Sequence, residues 1–302
     1  MTLPALDDPR FEGTVRLRDG RRLGFAEFGP ATGRPLLWFH GTPGARRQIA
    51  PEARALAHDR GVRIVSVERP GIGDSTPHRY AELVDFAADI EQVCDALDVE
   101  RFALAGLSGG GPYTLACAHE MPERVAMVAV LGGVAPTVGP DAVEGGASTL
   151  IRLAAPFVGF GSGLLGGMMR NLVRTLEPYA DPATDLFARS MPPGDQRVLA
   201  EPSIRRMFQE DLIFGSRRNM AAIFHDVALF GRDWGFRLRD VNVPVFLRYG
   251  DSDRIVPAEH GQHLASRLPD AKLQVHPGEG HLGSLGASRE ILDAVLERWD
   301  AT

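Results

Sequence analysis

The chain has 302 residues, 44% hydrophobic and 24% charged, enough to bury a large core in a single α/β domain. Its net charge of −6 and the absence of any basic run with interleaved aromatics exclude a nucleic-acid-binding reading; Lys272 is its only lysine. Residues 1–13 carry Asp7, Asp8 and Glu12 without an apolar stretch, which excludes a signal peptide and sets the expectation of a cytoplasmic protein.

Residues 14–28 read as a hairpin turning at Asp19-Gly20. Strands and helices then alternate: strand 35–40, a helix near 48–59, strand 62–67, helix 80–97, strand 101–106, helix 112–120 and strand 125–131. Such alternation predicts a mostly parallel sheet covered by helices. Cys94 and Cys117 fall inside helical patterns and are expected as buried free thiols.

From residue 134 to about 239 the alternation stops. Helical runs at 150–157, 164–176 and 203–230, broken by Pro178, Pro182 and Pro192-Pro193, predict a helical cap (134–239) inserted between two parts of a core, 1–133 and 240–302. Residues 156–169 are apolar and glycine-rich. Packing against the core or forming a pocket wall is the leading expectation for them, ahead of lid motion and of membrane contact; Arg152 and Arg170 bracket fewer than the roughly 20 residues a bilayer span needs. Beyond the cap, 243–250 and 271–276 read as two further strands.

The chemistry concentrates at strand ends. Gly106-Leu107-Ser108-Gly109-Gly110 joins a strand to a helix, the setting of a nucleophile elbow, with small residues relieving a strained turn that presents Ser108. A serine nucleophile needs a base and a carboxylate to orient it. Asp251-Ser252-Asp253 follows one late strand and Gly280-His281 the next, so parallel strands bring both loops to the elbow's edge. An attacked acyl carbonyl also needs two N–H donors: the amide of Gly109 is one, and the Thr42 amide, after His40-Gly41, is the other. His40 is expected to support that loop through its ring. His276 reads as structural. His260 and His263 lack a third metal ligand and read as solvated helix residues, so no metal or cofactor is expected.

With those residues in place the chain resembles the α/β-hydrolase superfamily. Gly106 to Gly110 is similar to the elbow, His40 to Gly44 to the oxyanion loop, Gly250 to Pro257 to the acid loop, and Gly280-His281 to the base loop; Glu68-Arg69-Pro70-Gly71-Ile72-Gly73-Asp74-Ser75 is similar to another family turn. The resemblance places the acid at Asp253, three residues after Gly250, rather than at Asp251. It implies an α/β-hydrolase fold with an eight-stranded sheet and an inserted cap. His-Gly-Thr-Pro-Gly is also similar to the oxyanion loop of proline iminopeptidases, whose elbow carries tryptophan where this chain has Gly109.

The expectation is a cofactor-independent serine hydrolase acting on an ester or similarly activated acyl compound, a small and apolar substrate, without membrane anchoring. Aminopeptidase action, carbon–carbon bond hydrolysis and cofactor-free perhydrolysis are the alternatives, with a ligand-binding receptor as the non-enzymatic one. An aminopeptidase needs carboxylates facing the pocket, for which Glu144, Glu177, Glu201, Glu210 and Asp211 are available.

Overall fold

Eight strands form one sheet in a computed structural model that describes residues 8–143 and 146–300. The strands are β1 (Phe11–Arg16), β2 (Arg22–Phe28), β3 (Arg34–Phe39), β4 (Val62–Val67), β5 (Phe102–Leu107), β6 (Val125–Leu131), β7 (Val245–Gly250) and β8 (Ala271–His276). Their spatial order is β1-β2-β4-β3-β5-β6-β7-β8. The pairs β1/β2 and β2/β4 are antiparallel, and β4, β3, β5, β6, β7 and β8 run parallel.

The central parallel strands β5 and β6 are continuous apolar runs because helices cover both faces, whereas the edge strand β8 is polar at alternate positions and only partly buried. β5 and β6 are buried along their whole length. One core, on one face, includes Phe39, Phe86, Leu104 and Tyr113; the other includes Trp38, Ile64, Ala105 and Leu292. The covering helices are α1 (Pro51–Asp59), α2 (Phe86–Ala96) and α3 (Gly111–Glu120). Cys94 and Cys117 are buried free thiols in α2 and α3. In register, Phe39 lies beside Gly106, Leu107 beside Leu131, and Gly250 beside His276. The loops after β3, β5, β7 and β8 therefore emerge along a common edge.

Among the described residues between β6 and β7 are five α-helices: α4 (Gly146–Leu176), α5 (Ala180–Ser190), α6 (Pro193–Ala200), α7 (Pro202–Gly215) and α8 (Ala221–Phe230). Two helical runs expected at 150–157 and 164–176 are one helix here, and the run at 203–230 is two. Pro182 does not break a helix; it sits in the first turn of α5, where its missing N–H has no intrahelical acceptor to lose. The glycine-rich stretch divides by face. Ser162 and Gly166 are buried, and a Cβ on Gly166 would fall 2.3 Å from the Ala221 nitrogen, so α4 and α8 approach closely there. Leu164, Met168 and Leu172, spaced by four, instead form an exposed ridge, Leu164 being 74% exposed. No helix among the described residues is long and apolar enough to cross a membrane. α9 (Ala258–Arg267) and α10 (Ser288–Asp300) complete the chain.

Candidate active site

Ser108 lies at the turn between β5 and α3 with φ +50°, one of two non-glycine residues with positive φ among the described ones. That conformation is costly for a side chain with a Cβ and turns the hydroxyl away from the strand. The elbow is correspondingly tight: a Cβ on Gly106 would lie 2.6 Å from the Gly110 carbonyl.

Two loops reach this hydroxyl. His281 Nε2 is 2.8 Å from Ser108 Oγ, and His281 Nδ1 is 2.7 Å from Asp253 Oδ2. A carboxylate accepts, so Nδ1 carries the proton and the unprotonated Nε2 accepts from the serine hydroxyl. Asp253 is fixed in turn by the Ile255 and Val256 amides, which donate to its Oδ1 at 2.8 and 2.9 Å. Asp251 points elsewhere, its Oδ1 accepting from the Ser252 hydroxyl and the Gly278 amide. Asp253 and His281 are buried, and Ser108 is half-buried.

The loop after β3 packs directly on the elbow. A Cβ on Gly109 would lie 2.4 Å from Thr42 Oγ1 and 3.4 Å from the Phe230 ring, so residue 109 has no room for a side chain. His40 is fully buried, and its ring supports the loop. Its Nδ1 donates to the Gly41 carbonyl at 2.8 Å, leaving Nε2 to accept from the Arg69 amide at 3.3 Å. Burial, with the Arg69 charge nearby, pushes its pKa well below the usual imidazole value, which keeps the ring neutral as those two bonds require.

Arg69 and Asp226, on α8, complete the scaffold and were not singled out in the sequence. The Arg69 guanidinium donates to the carbonyls of His40 and Gly41, to Thr42 Oγ1 and to Asp226 Oδ2. Asp226 also accepts from Thr42 Oγ1 at 2.8 Å and from the Tyr113 hydroxyl at 2.7 Å. One carboxylate in the apolar run Ala221–Phe230 is the signal that marks Asp226 in the sequence. Asp211, on α7, accepts from the amides of Ala45 and Arg47 at 2.8 and 3.0 Å. Asp195, on α6, accepts from the amides of His281 and Leu282 at 3.0 and 2.8 Å.

The carboxylates considered for an amine subsite differ in their surroundings. Glu177, Glu201 and Glu210 are exposed, and Asp211 is spent on backbone amides; Glu144 lies outside the described residues. His260 and His263 are not solvated helix residues as expected. His260 is buried and its Nδ1 accepts from the Ala135 amide, because α9 packs against the segment after β6; His263 Nε2 donates to the Asp141 carbonyl. His276, in β8, faces Glu290 at 3.3 Å.

A family model for the alpha/beta hydrolase fold matches residues 34–287. The chain belongs to that family. It is an enzyme of the hydrolase class. It is similar to a 2-hydroxy-6-oxononadienedioate/2-hydroxy-6-oxononatrienedioate hydrolase of Cupriavidus pinatubonensis, at 29% identity over 82% of this chain and 80% of that protein. A proline iminopeptidase of Neisseria meningitidis is 32% identical over 123 residues, 40% of this hydrolase and 39% of the iminopeptidase. Among solved structures, an esterase from Exiguobacterium antarcticum superposes with a TM-score of 0.69 at 17% identity, covering 97% of this chain and all of the esterase. That last likeness speaks to the fold alone.

Proposed function

We propose that this hydrolase cleaves an ester or similarly activated acyl substrate through a covalent acyl-enzyme. The observation that carries the reading is the hydrogen-bonded chain Asp253–His281–Ser108 on a serine held at positive φ. Ser108 Oγ attacks the acyl carbonyl while His281 Nε2 takes its proton, and Asp253 holds the imidazole in the tautomer that can accept it. The amides of Gly109 and Thr42 stabilise the oxyanion. His281 then delivers the proton to the leaving alcohol, activates a water, and the acyl-enzyme is hydrolysed.

Residues 134–239 act as the cap over this site, on a core formed by 1–133 and 240–302. Their Leu, Phe, Met and Gly content favours an apolar acyl group. Each methylene buried in such a wall adds up to about 0.8 kcal/mol, so kcat/KM rises from acetate to butyrate or hexanoate esters and stops where the pocket ends. Proline anilide is expected to be a poor substrate, in line with the buried Asp211 carboxyl being spent on backbone amides. The similarity to the Cupriavidus hydrolase favours a second reading, in which the same three residues cleave a carbon–carbon bond next to a ketone. Labelling with a fluorophosphonate, beside p-nitrophenyl esters of graded length and proline anilide, tests the proposal. Ser108-dependent labelling with a climb over the first few carbons is expected. A flat response together with fast anilide cleavage overturns the esterase reading, and the absence of any label overturns the serine mechanism.

A further inference from the structure

Four backbone amides in the loops around Ser108 have carboxylate acceptors on the helical insertion rather than on the core. Those of His281 and Leu282 donate to Asp195 of α6, and those of Ala45 and Arg47 to Asp211 of α7. A third carboxylate, Asp226 of α8, takes the Thr42 hydroxyl. Asp195 is fully buried, Asp211 is 1% exposed and Asp226 5%. Three consecutive helices of the insertion therefore each send one buried carboxylate into a loop that borders the reacting groups.

We propose that Asp195, Asp211 and Asp226 are positioning residues, the first for the base loop and the other two for the oxyanion loop, so that the insertion completes the active site. The proposal rests on the triad reading above.

The chemistry favours this over ordinary anchoring. A carboxylate that takes two successive or nearby amides on its two oxygens fixes a loop in orientation as well as position, which a single bond does not. Buried charge is expensive, and an apolar contact would hold helices to a sheet at lower cost. Here the carboxyls of Asp195 and Asp211 go to the backbone at His281 itself and at Ala45 and Arg47, in the loop that carries Thr42, although burial raises the Asp211 carboxyl to about 7. Asp195 also faces His281 as a charge: its carboxyl is raised by burial, opposed by the two amides and by attraction to the His281 ring. The groups around that ring are Asp253 at Nδ1, Asp195 under its backbone, and Tyr249 and His260 beyond Asp253. Misplacing a reacting group by 1 Å costs about 10²-fold in rate, so a clamp of this kind is read in kcat.

Asp195→Asn puts an amide nitrogen where one amide donor now finds an acceptor. Gly280→Ala attacks the same clamp from the other side, since its Cβ would lie 2.3 Å from Asp195 Oδ2 and must push the two apart while the acidic residue itself is kept. Asp185→Asn, on an exposed residue of α5, is the control. With a p-nitrophenyl ester and a fluorophosphonate, Asp195→Asn and Gly280→Ala are each expected to lower kcat and the labelling rate by about 10- to 100-fold with KM within about threefold. Asp185→Asn leaves all of these as in the wild type. Should Asp195→Asn not fold, Gly280→Ala decides alone. A wild-type chain that takes no label at Ser108 overturns the triad reading and this proposal with it. A labelled wild type whose variants label at the same rate, or lose activity only in proportion to unfolded protein, overturns this proposal alone.

Discussion

Ser108, His281 and Asp253 share two short hydrogen bonds, whereas Asp251 accepts from the Ser252 hydroxyl and the Gly278 amide. Ser108→Ala or His281→Ala is expected to lower kcat for an activated ester by about 10³- to 10⁶-fold with the fold retained, as circular dichroism checks. Asp253→Asn, which spoils the tautomer of His281, is expected to cost up to about 10⁴-fold, whereas Asp251→Asn loosens only its own turn. If the order of the two is reversed, Asp251 is the acid. These three residues were legible because strand ends and flanking glycines mark them locally. Asp195 and Asp226 were not, since a carboxylate's role as a clamp depends on which distant amides or hydroxyls the fold brings within 3 Å of it. Glu68 bears on stability instead. Burial raises its carboxyl from 4.5 to about 8, so the folded chain holds that proton more tightly than the unfolded one. Its contribution to stability is complete below about pH 4.5 and is lost as the pH rises through about 8. Glu68→Gln removes this titration, and denaturant unfolding across that interval should show a shallower decline; an unchanged slope would count against it.

At the scale of elements, β4, β6 and β8 have the bounds the sequence predicts and β3 and β5 are displaced by one, while β7 begins two residues later than expected and β1 three residues earlier. Parallel strands carry their signal in their own composition. The insertion was less legible because α4 runs through a glycine-rich segment whose helicity depends on α8. Glycine costs about 1 kcal/mol per position in a helix, and close packing is what offsets it. The two kinds of glycine in α4 are therefore distinguishable. Gly163→Ala meets nothing within 4 Å and is expected to stabilise by about 0.5–1 kcal/mol. Gly166→Ala drives a Cβ to 2.2 Å from Asn219 Oδ1 and 2.3 Å from the Ala221 nitrogen, and is expected to destabilise by about 1–3 kcal/mol. Chemical denaturation of the pair checks the opposite signs.

Across the whole molecule, the insertion is joined to the core at its neck as well as at the loops. Asp141, on the segment after β6, pairs with Arg237 and accepts from the Leu238 amide, on the segment before β7. Melting the insertion alone would strip several buried groups of their partners, at about 1–3 kcal/mol each. Calorimetry is therefore expected to show one transition for the chain, with calorimetric and van't Hoff enthalpies in agreement; a separate early peak would mean that the insertion is independent. The four amides at residues 45, 47, 281 and 282 also bear on how such a protein changes over evolutionary time. Insertions between β6 and β7 look like interchangeable modules, free to be traded for new specificity. Here a borrowed module would have to arrive with acidic side chains already aimed at a foreign backbone, so new specificity comes more readily by altering residues within the resident helices than by exchanging them.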